Sequence, residues 1–232
     1  MLKNGKVDEV AKILNQRSVV ERVGNELIAI DSKYDLAPNY VGKYAKLTLS
    51  DGHSNATVLD FGHTVTSLPF IENDKINIIG DLNDNTFRGE RTVSVFARAS
   101  EAADAGFESN DANNPEAYEK EYSLIRETSD GISVTRNEIA DVYKTVSKLY
   151  EDTEIRIHPA YLKKVLNKSG KNISYTSIRI CFDILSEIGL IKYRYAPNKN
   201  YADGNIYIIT EVTNTKTSLD NSETYRKLKA AD

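Results

Sequence analysis

Apolar residues recur with two different periods along this chain, and the change falls near its middle. In the first half they alternate with polar ones. Glu26–Ile30 is a short strand-like run. Tyr44-Ala45-Lys46-Leu47-Thr48-Leu49 alternates cleanly, and Asp51-Gly52 makes a hairpin turn into Ala56–Phe61. Ile76, Ile78 and Leu82 alternate in Lys75–Leu82, and Val93, Val95 and Ala97 do so in Thr92–Ala97. About five short strands in meander-like order suit an OB-type barrel, with a small sandwich as the alternative. Ahead of them, Val7, Val10, Ala11 and Leu14 mark one face of a short helix started by Asp8. Ala37-Pro38-Asn39 marks a turn.

The second half has helical spacing. Thr135 is a candidate N-cap for Arg136–Tyr150, and Glu138 completes a capping box. Ile139, Val142, Tyr143, Val146 and Leu149 fall on one face. Pro159 opens a second helix through about Lys168, with Gly170 at its close. Ser174 caps a third, whose stripe is Ile178, Cys181, Phe182 and Leu185 and whose stop is Gly189. Two strand-like runs, Leu190–Tyr195 and Asn205–Thr210, follow. Three helices and then a hairpin is the order of a winged helix-turn-helix.

Between the halves, Ser100 to Tyr122 has no apolar period and contains Pro115. Residues 101–121 hold seven acids (Glu101, Asp104, Glu108, Asp111, Glu116, Glu119, Glu121) against Lys120 alone. This reads as an acidic, flexible linker. The chain of 232 residues carries a net charge of −4, but without this segment the rest is slightly positive, so the overall sign decides little. The expected organisation is therefore α+β. Residues 1–23 form a helix or the remnant of an upstream linker. An OB-like barrel spans 24–100, the acidic linker 101–122, and a winged-helix-like domain with a polar tail 123–232. The lone Cys181 has no disulfide partner, which fits a reducing compartment. No apolar run approaches ~18 residues and no signal peptide opens the chain, so a soluble cytoplasmic protein without a membrane partner is expected.

Catalytic chemistry is not legible. His53, His63 and His158 are scattered without the spacing of a metal pair, and there is no phosphate-cradling glycine loop or nucleophile elbow. No catalytic or metal-ligating residue is expected. Basic and aromatic interleaving is the stronger signal. Asn83 to Arg91 reads as a polar loop carrying Phe87, Arg88 and Arg91, a stacking ring beside phosphate-binding charge of the kind single-strand binders use. In the second half, Tyr175, Thr176, Ser177 and Arg179 open the third helix, where a recognition helix presents side chains to DNA. Lys192, Arg194, Tyr195, Lys199 and Tyr201 cluster in the wing, and Lys163, Lys164, Lys168 and Lys171 add charge nearby. Solvated charges on a protein-docking winged helix are the alternative.

Gly42–Leu49, Phe61-Gly62, and the run through Gly80-Asp81-Leu82, Asn85, Phe87, Gly89 and Arg91 resemble the OB domain of the bacterial RecJ family of single-strand-specific DNA exonucleases. Phe87 stands where that family usually has a tryptophan. The helix end Glu187-Ile188-Gly189 and the closing pattern Leu219-x-x-Ser222-x-x-Tyr225 resemble the C-terminal domain attached to RecJ in Firmicutes and relatives. The resemblance implies an accessory region of a 5′–3′ exonuclease of DNA repair and recombination, a fragment or a stand-alone product. The metal-binding nuclease core of the family, where Mn or Mg would act, has no counterpart here, so no cofactor is expected in this chain. It implies single-stranded DNA as a ligand, held through Lys46, Phe87, Arg88 and Arg91. It also implies upstream nuclease domains and single-strand-binding protein as partners. Two rival readings remain: a winged-helix regulator or replication initiator reading duplex DNA through Arg179, Lys192, Arg194 and Lys199, and a pure interaction module.

Overall fold

Alternating sequence becomes alternating burial wherever a strand has one face on a core. In strand β3 (Ala45–Ser50) Ala45, Leu47 and Leu49 are buried and Lys46 is exposed. In β4 (Asn55–Asp60) Ala56, Val58 and Asp60 point inward. A computed structural model describes residues 20–23, 26–36, 44–51, 53–87, 90–102, 120, 122–125, 127, 134–168, 170–197 and 205–231. The chain is mixed α and β and divides into two compact units, Met1–Gly106 and Phe107–Asp232.

The first unit adds β1 (Val20–Val23), β2 (Glu26–Leu36), β5 (Lys75–Phe87) and β6 (Glu90–Ala102) to one sheet. The hydrogen-bonded order is β1-β2-β3-β4-β6-β5, and β5 also pairs with β2, so the pairings run in a ring through five strands. All are antiparallel except β4 with β6, where Thr57, Val58 and Leu59 face Ser94, Val95 and Phe96 in parallel. This is not the expected meander, because β6 inserts between β4 and β5. The core holds Leu47, Val58, Leu68, Phe70 and Ile76 at 0% exposure. Gly80 lies where β5 and β6 shift register, and a Cβ there would stand 2.5 Å from the carbonyl oxygen of Phe96. Only glycine permits that approach.

Three local expectations change. Asn83–Arg91 is not a loop. β5 and β6 stay paired to Phe87 and Glu90, and residues 88 and 89 lie outside the described residues. Polar residues suffice there because a two-stranded ribbon projecting past the core has little apolar surface to bury. Val20–Val23, before the expected boundary at 24, is a strand. Tyr122, placed in the linker, is a buried core residue, and residues 122–125 are helical. The expected helix at Val7–Leu14, the Ala37-Pro38-Asn39 turn and most of the acidic segment lie outside the described residues. At the Asp51-Gly52 turn, Asp51 Oδ1 accepts from the backbone N–H of Ser54 (2.6 Å) and His53 (2.7 Å). Those bonds hold its carboxyl below the usual value.

In the second unit α1 (Arg136–Leu149) carries the anticipated capping box. Glu138 N–H donates to Thr135 Oγ1 at 3.2 Å, and Thr135 N–H donates back to Glu138 Oε2 at 2.7 Å. Then follow β7 (Ile155–Ile157), α2 (Pro159–Asn167), α3 (Tyr175–Glu187), β8 (Ile191–Pro197), β9 (Asn205–Val212) and α4 (Glu223–Ala231). The sheet order is β7-β9-β8, all antiparallel. The left-handed residues Gly170 (φ 79°) and Gly189 (φ 75°) follow α2 and α3, as their spacing predicts. β7, with three residues, and α4, in the polar tail, are additions to the expected order. Phe182 and Tyr207 stack in the core between α3 and the hairpin at 4.3 Å and 6°, with the half-buried rings of Tyr193 and Tyr195 tilted against them. No helix among the described residues is long and apolar enough to cross a membrane.

Candidate nucleic-acid interface

The outward face of β3 and β4 is where the first unit gathers aromatic rings. Strand alternation puts Tyr44 and Lys46 on the side opposite Ala45 and Leu47, and Phe61 opposite Asp60. Ala45 pairs with Asp60, which brings Tyr44 alongside Phe61. Their ring centroids lie 5.2 Å apart at 45°. On β6 Val95 is buried, so Phe96 faces the other way and meets Phe61 edge-on, with centroids at 5.3 Å and 88°. The register adds a row across four strands: Lys46 faces Leu59, Leu59 faces Phe96, and Phe96 faces Asp81. Phe61 is 57% exposed, a large apolar face left open to water over two supporting rings. Arg98 flanks the row, its Nε bonded to Asp81 Oδ2 at 2.8 Å.

The residues chosen from the sequence fare differently. Lys46 is exposed and borders this surface. Arg91 is exposed, but its Nε donates to Asp84 Oδ1 at 3.0 Å. It also stands five residues before Phe96 on the same strand, about 17 Å away at strand rise. The structure does not bring Lys46 and Arg91 together. Arg88 lies outside the described residues, and of Phe87 only its backbone, opposite Glu90, is described. Tyr44, Phe61 and Phe96 were missed as a group. Their signal was present: each is an aromatic at the outward phase of an otherwise alternating strand.

The second unit places its cations against acids and rings. Arg179 does not open a recognition surface at the start of α3. Its guanidinium lies between the rings of Tyr122 (4.2 Å) and Tyr195 (4.0 Å). One helical turn on, Asp183 accepts from Tyr193 Oη (2.6 Å) at Oδ1 and from Tyr122 Oη at Oδ2. Burial, then the Asp183 charge, push the Tyr193 hydroxyl well above its ordinary value. Another turn on, Glu187 accepts from Ser222 Oγ (2.6 Å), Thr224 Oγ1 (2.6 Å) and Thr224 N (3.0 Å), so its carboxylate holds the start of α4. Arg179, Asp183 and Glu187 form one i, i+4 row. The chain's own segments, 122–125 and α4, engage that row along its length. Thr176 and Ser177, placed on a DNA-facing helix start, are buried.

On the β8–β9 hairpin Lys192 pairs with Glu211, and Arg194 Nη2 is 4.0 Å from Glu154 Oε2. Lys199 and Tyr201 lie outside the described residues. Lys171 pairs with Asp141, and Lys163 stands 4.3 Å over the Tyr175 ring. Among the described residues no group of three or more His, Cys, Asp or Glu could hold a metal ion. Cys181 is fully buried, and burial raises its thiol far above the ordinary value.

No protein-family model matches the chain, and no curated protein matches it. Among solved structures, an aspartyl tRNA synthetase from Entamoeba histolytica is similar over 80% of this chain, with 12% identity and a TM-score of 0.28. The chain spans 35% of that protein's length. So loose a superposition carries no argument about function.

Proposed function

We propose that the first unit is an OB-type barrel that grips single-stranded DNA by base stacking, within an accessory DNA- and partner-binding region of a RecJ-like exonuclease. The ring of pairings β2-β3-β4-β6-β5, with one parallel pair, supports the barrel. In that fold the second and third barrel strands and two adjoining loops take oligonucleotides. Here those strands are β3 and β4. The observation that carries the reading is Phe61, exposed on Tyr44 and Phe96 beside Lys46. A ring of this kind takes any base, because every base has a π-face, at about 1–3 kcal/mol per base. The expected binding is sequence-blind and salt-sensitive.

For the second unit we infer a winged-helix-like module that docks protein rather than duplex DNA. The row Arg179, Asp183, Glu187, which a groove-reading helix would leave open, is engaged by Tyr122, Tyr193 and the start of α4. Chemistry on DNA, with its Mn or Mg, belongs in this reading to nuclease domains outside this chain, and the partners are those domains and single-strand-binding protein.

Fluorescence anisotropy with a labelled oligothymidylate, at low and moderate salt and against a duplex of equal length, tests the grip. Preference for the single strand, weakened about tenfold by Phe61→Ala and less by Arg91→Ala, is expected. Phe87→Ala/Arg88→Ala reports whether these two residues share the load. Binding to neither form, or a Phe61→Ala variant with wild-type affinity, would refute it.

A further inference from the structure

Asp60 and His63 make a buried polar pair next to the stacking surface that does not itself touch its open face. Asp60 closes β4 at 0% exposure and His63 is 4% exposed. Asp60 Oδ1 accepts from the N–H of Gly62 at 2.9 Å and of His63 at 3.2 Å. Its Oδ2 lies 2.9 Å from His63 Nδ1. The first two bonds are an Asx-type turn, and the imidazole adds a second tie from the far side of it. A carboxylate and an imidazole are both costly to bury alone, and here each supplies the other's partner.

What this turn carries is Phe61. It directly follows dry Asp60 and stands two residues before dry His63, yet is 57% exposed. The hydrophobic effect favours turning such a ring inward, and a strand end is where the backbone has freedom to do so. Tying 62 and 63 to the Asp60 carboxylate removes that freedom. The ring is left on the outward phase, against Tyr44 and Phe96.

We propose that Asp60 and His63 are positioning residues: they clamp the turn that holds the Phe61 ring on its platform, and so set the strength of the grip on a single strand. The functional half of this statement rests on the base-stacking reading above. The clamp does not.

The test uses the full chain with 4-fluorophenylalanine at position 61, read by fluorine NMR, together with anisotropy on a labelled oligothymidylate. His63→Gln and Asp60→Asn are the variants. The second keeps an oxygen that can accept from Gly62 and His63 while losing the charge. In variants with wild-type circular dichroism, the fluorine line should shift or broaden and Kd should rise about fivefold. In a Phe61→Ala background the same substitutions should change Kd less than about twofold, because the ring they position is gone. Equal weakening in both backgrounds would overturn the proposal, as would a fluorine line unchanged in both variants. Unfolding of both variants would overturn it in favour of a core role. A wild-type chain that ignores the oligonucleotide would remove the stacking reading, and the fluorine spectrum alone would then decide the clamp.

Discussion

Replacing Gly80 with alanine adds one methyl group where β5 and β6 shift register. The new Cβ would stand 2.5 Å from the Phe96 carbonyl oxygen, 2.7 Å from Val95 Cγ1 and 3.0 Å from the Phe96 carbonyl carbon. Relieving those contacts requires a shift of nearly 1 Å, since ordinary carbon contacts begin near ~3.5 Å. Val95 can turn, but the Phe96 peptide belongs to a strand paired on both sides, with β4 and β5. Overpacking of this kind costs about 1–3 kcal/mol, and an obstacle of backbone puts it at the upper end. Alanine returns roughly 0.5–1 kcal/mol through the unfolded chain. The net expectation is a loss of about 2 kcal/mol, confined to the first unit. Native-state hydrogen exchange resolves it, because about 2 kcal/mol speeds opening roughly 30-fold. The amides of β5 and β6 should exchange faster by that factor while those of α3 stay as they were. On the base-stacking reading proposed above, single-strand affinity should fall as well, because Phe96 supports the Phe61 ring. Exchange within a factor of about three of wild type would show that β6 yields freely there, and the close-approach argument would be wrong.

Three further outcomes follow from the second unit. Glu187→Ala should cost about 1–2 kcal/mol and expose α4 amides selectively, with Glu187→Gln milder because an acceptor survives. Full α4 protection in Glu187→Ala would count against the cap. Arg179→Ala should lower the unit's stability by about 1–2 kcal/mol, measured by urea titration, and leave DNA affinity unchanged. A selective loss of duplex binding would instead favour a groove-reading α3. The Tyr193 hydroxyl is held protonated in the folded state, above its ordinary value of 10.0. Above about pH 10 the unfolded chain loses that proton first, so stability is complete below that pH and falls as pH rises beyond it. Tyr193→Phe should flatten this alkaline decline, and thermal melts across pH 8–11 would show an unaltered slope if the idea is wrong.

Local signals in the sequence translated directly where the physics is local. Thr135 with Glu138 and Gly189 past α3 satisfy backbone groups within a few residues of themselves, and Pro159 at the start of α2 removes a donor that would lack a partner. Pairings over distance left no such trace. The parallel match of β4 with β6 depends on residues far apart, and polar Asn83–Arg91 reads as loop until the partner strand is known. The acidic partners of the candidate cations were hidden for the same reason. Lys192, Arg194 and Arg91 stay exposed, but their acids, Glu211, Glu154 and Asp84, sit on other strands or connections. The engagement of the Arg179, Asp183 and Glu187 row on α3 was likewise illegible: its partners come from Tyr122 and Ser222–Thr224, segments long distances away in the chain. The two C-terminal motifs nonetheless acquire a physical sense together, since Glu187 of the first binds Ser222 of the second at 2.6 Å.

The parallel pair between Thr57 and Ser94 also dictates when the first unit can exist at all. Until the final strand is available, β4 has no neighbour on one side and the ring remains an open sheet with two exposed edges. A nascent chain on the ribosome would hold β2 through β5 as an unclosed intermediate until residues 94–96 leave the exit tunnel. Closing it brings together positions far apart in sequence, which is entropically expensive and slow. The unit is therefore committed late, by its last strand, and synthesis halted before that strand would leave an aggregation-prone edge rather than a smaller domain.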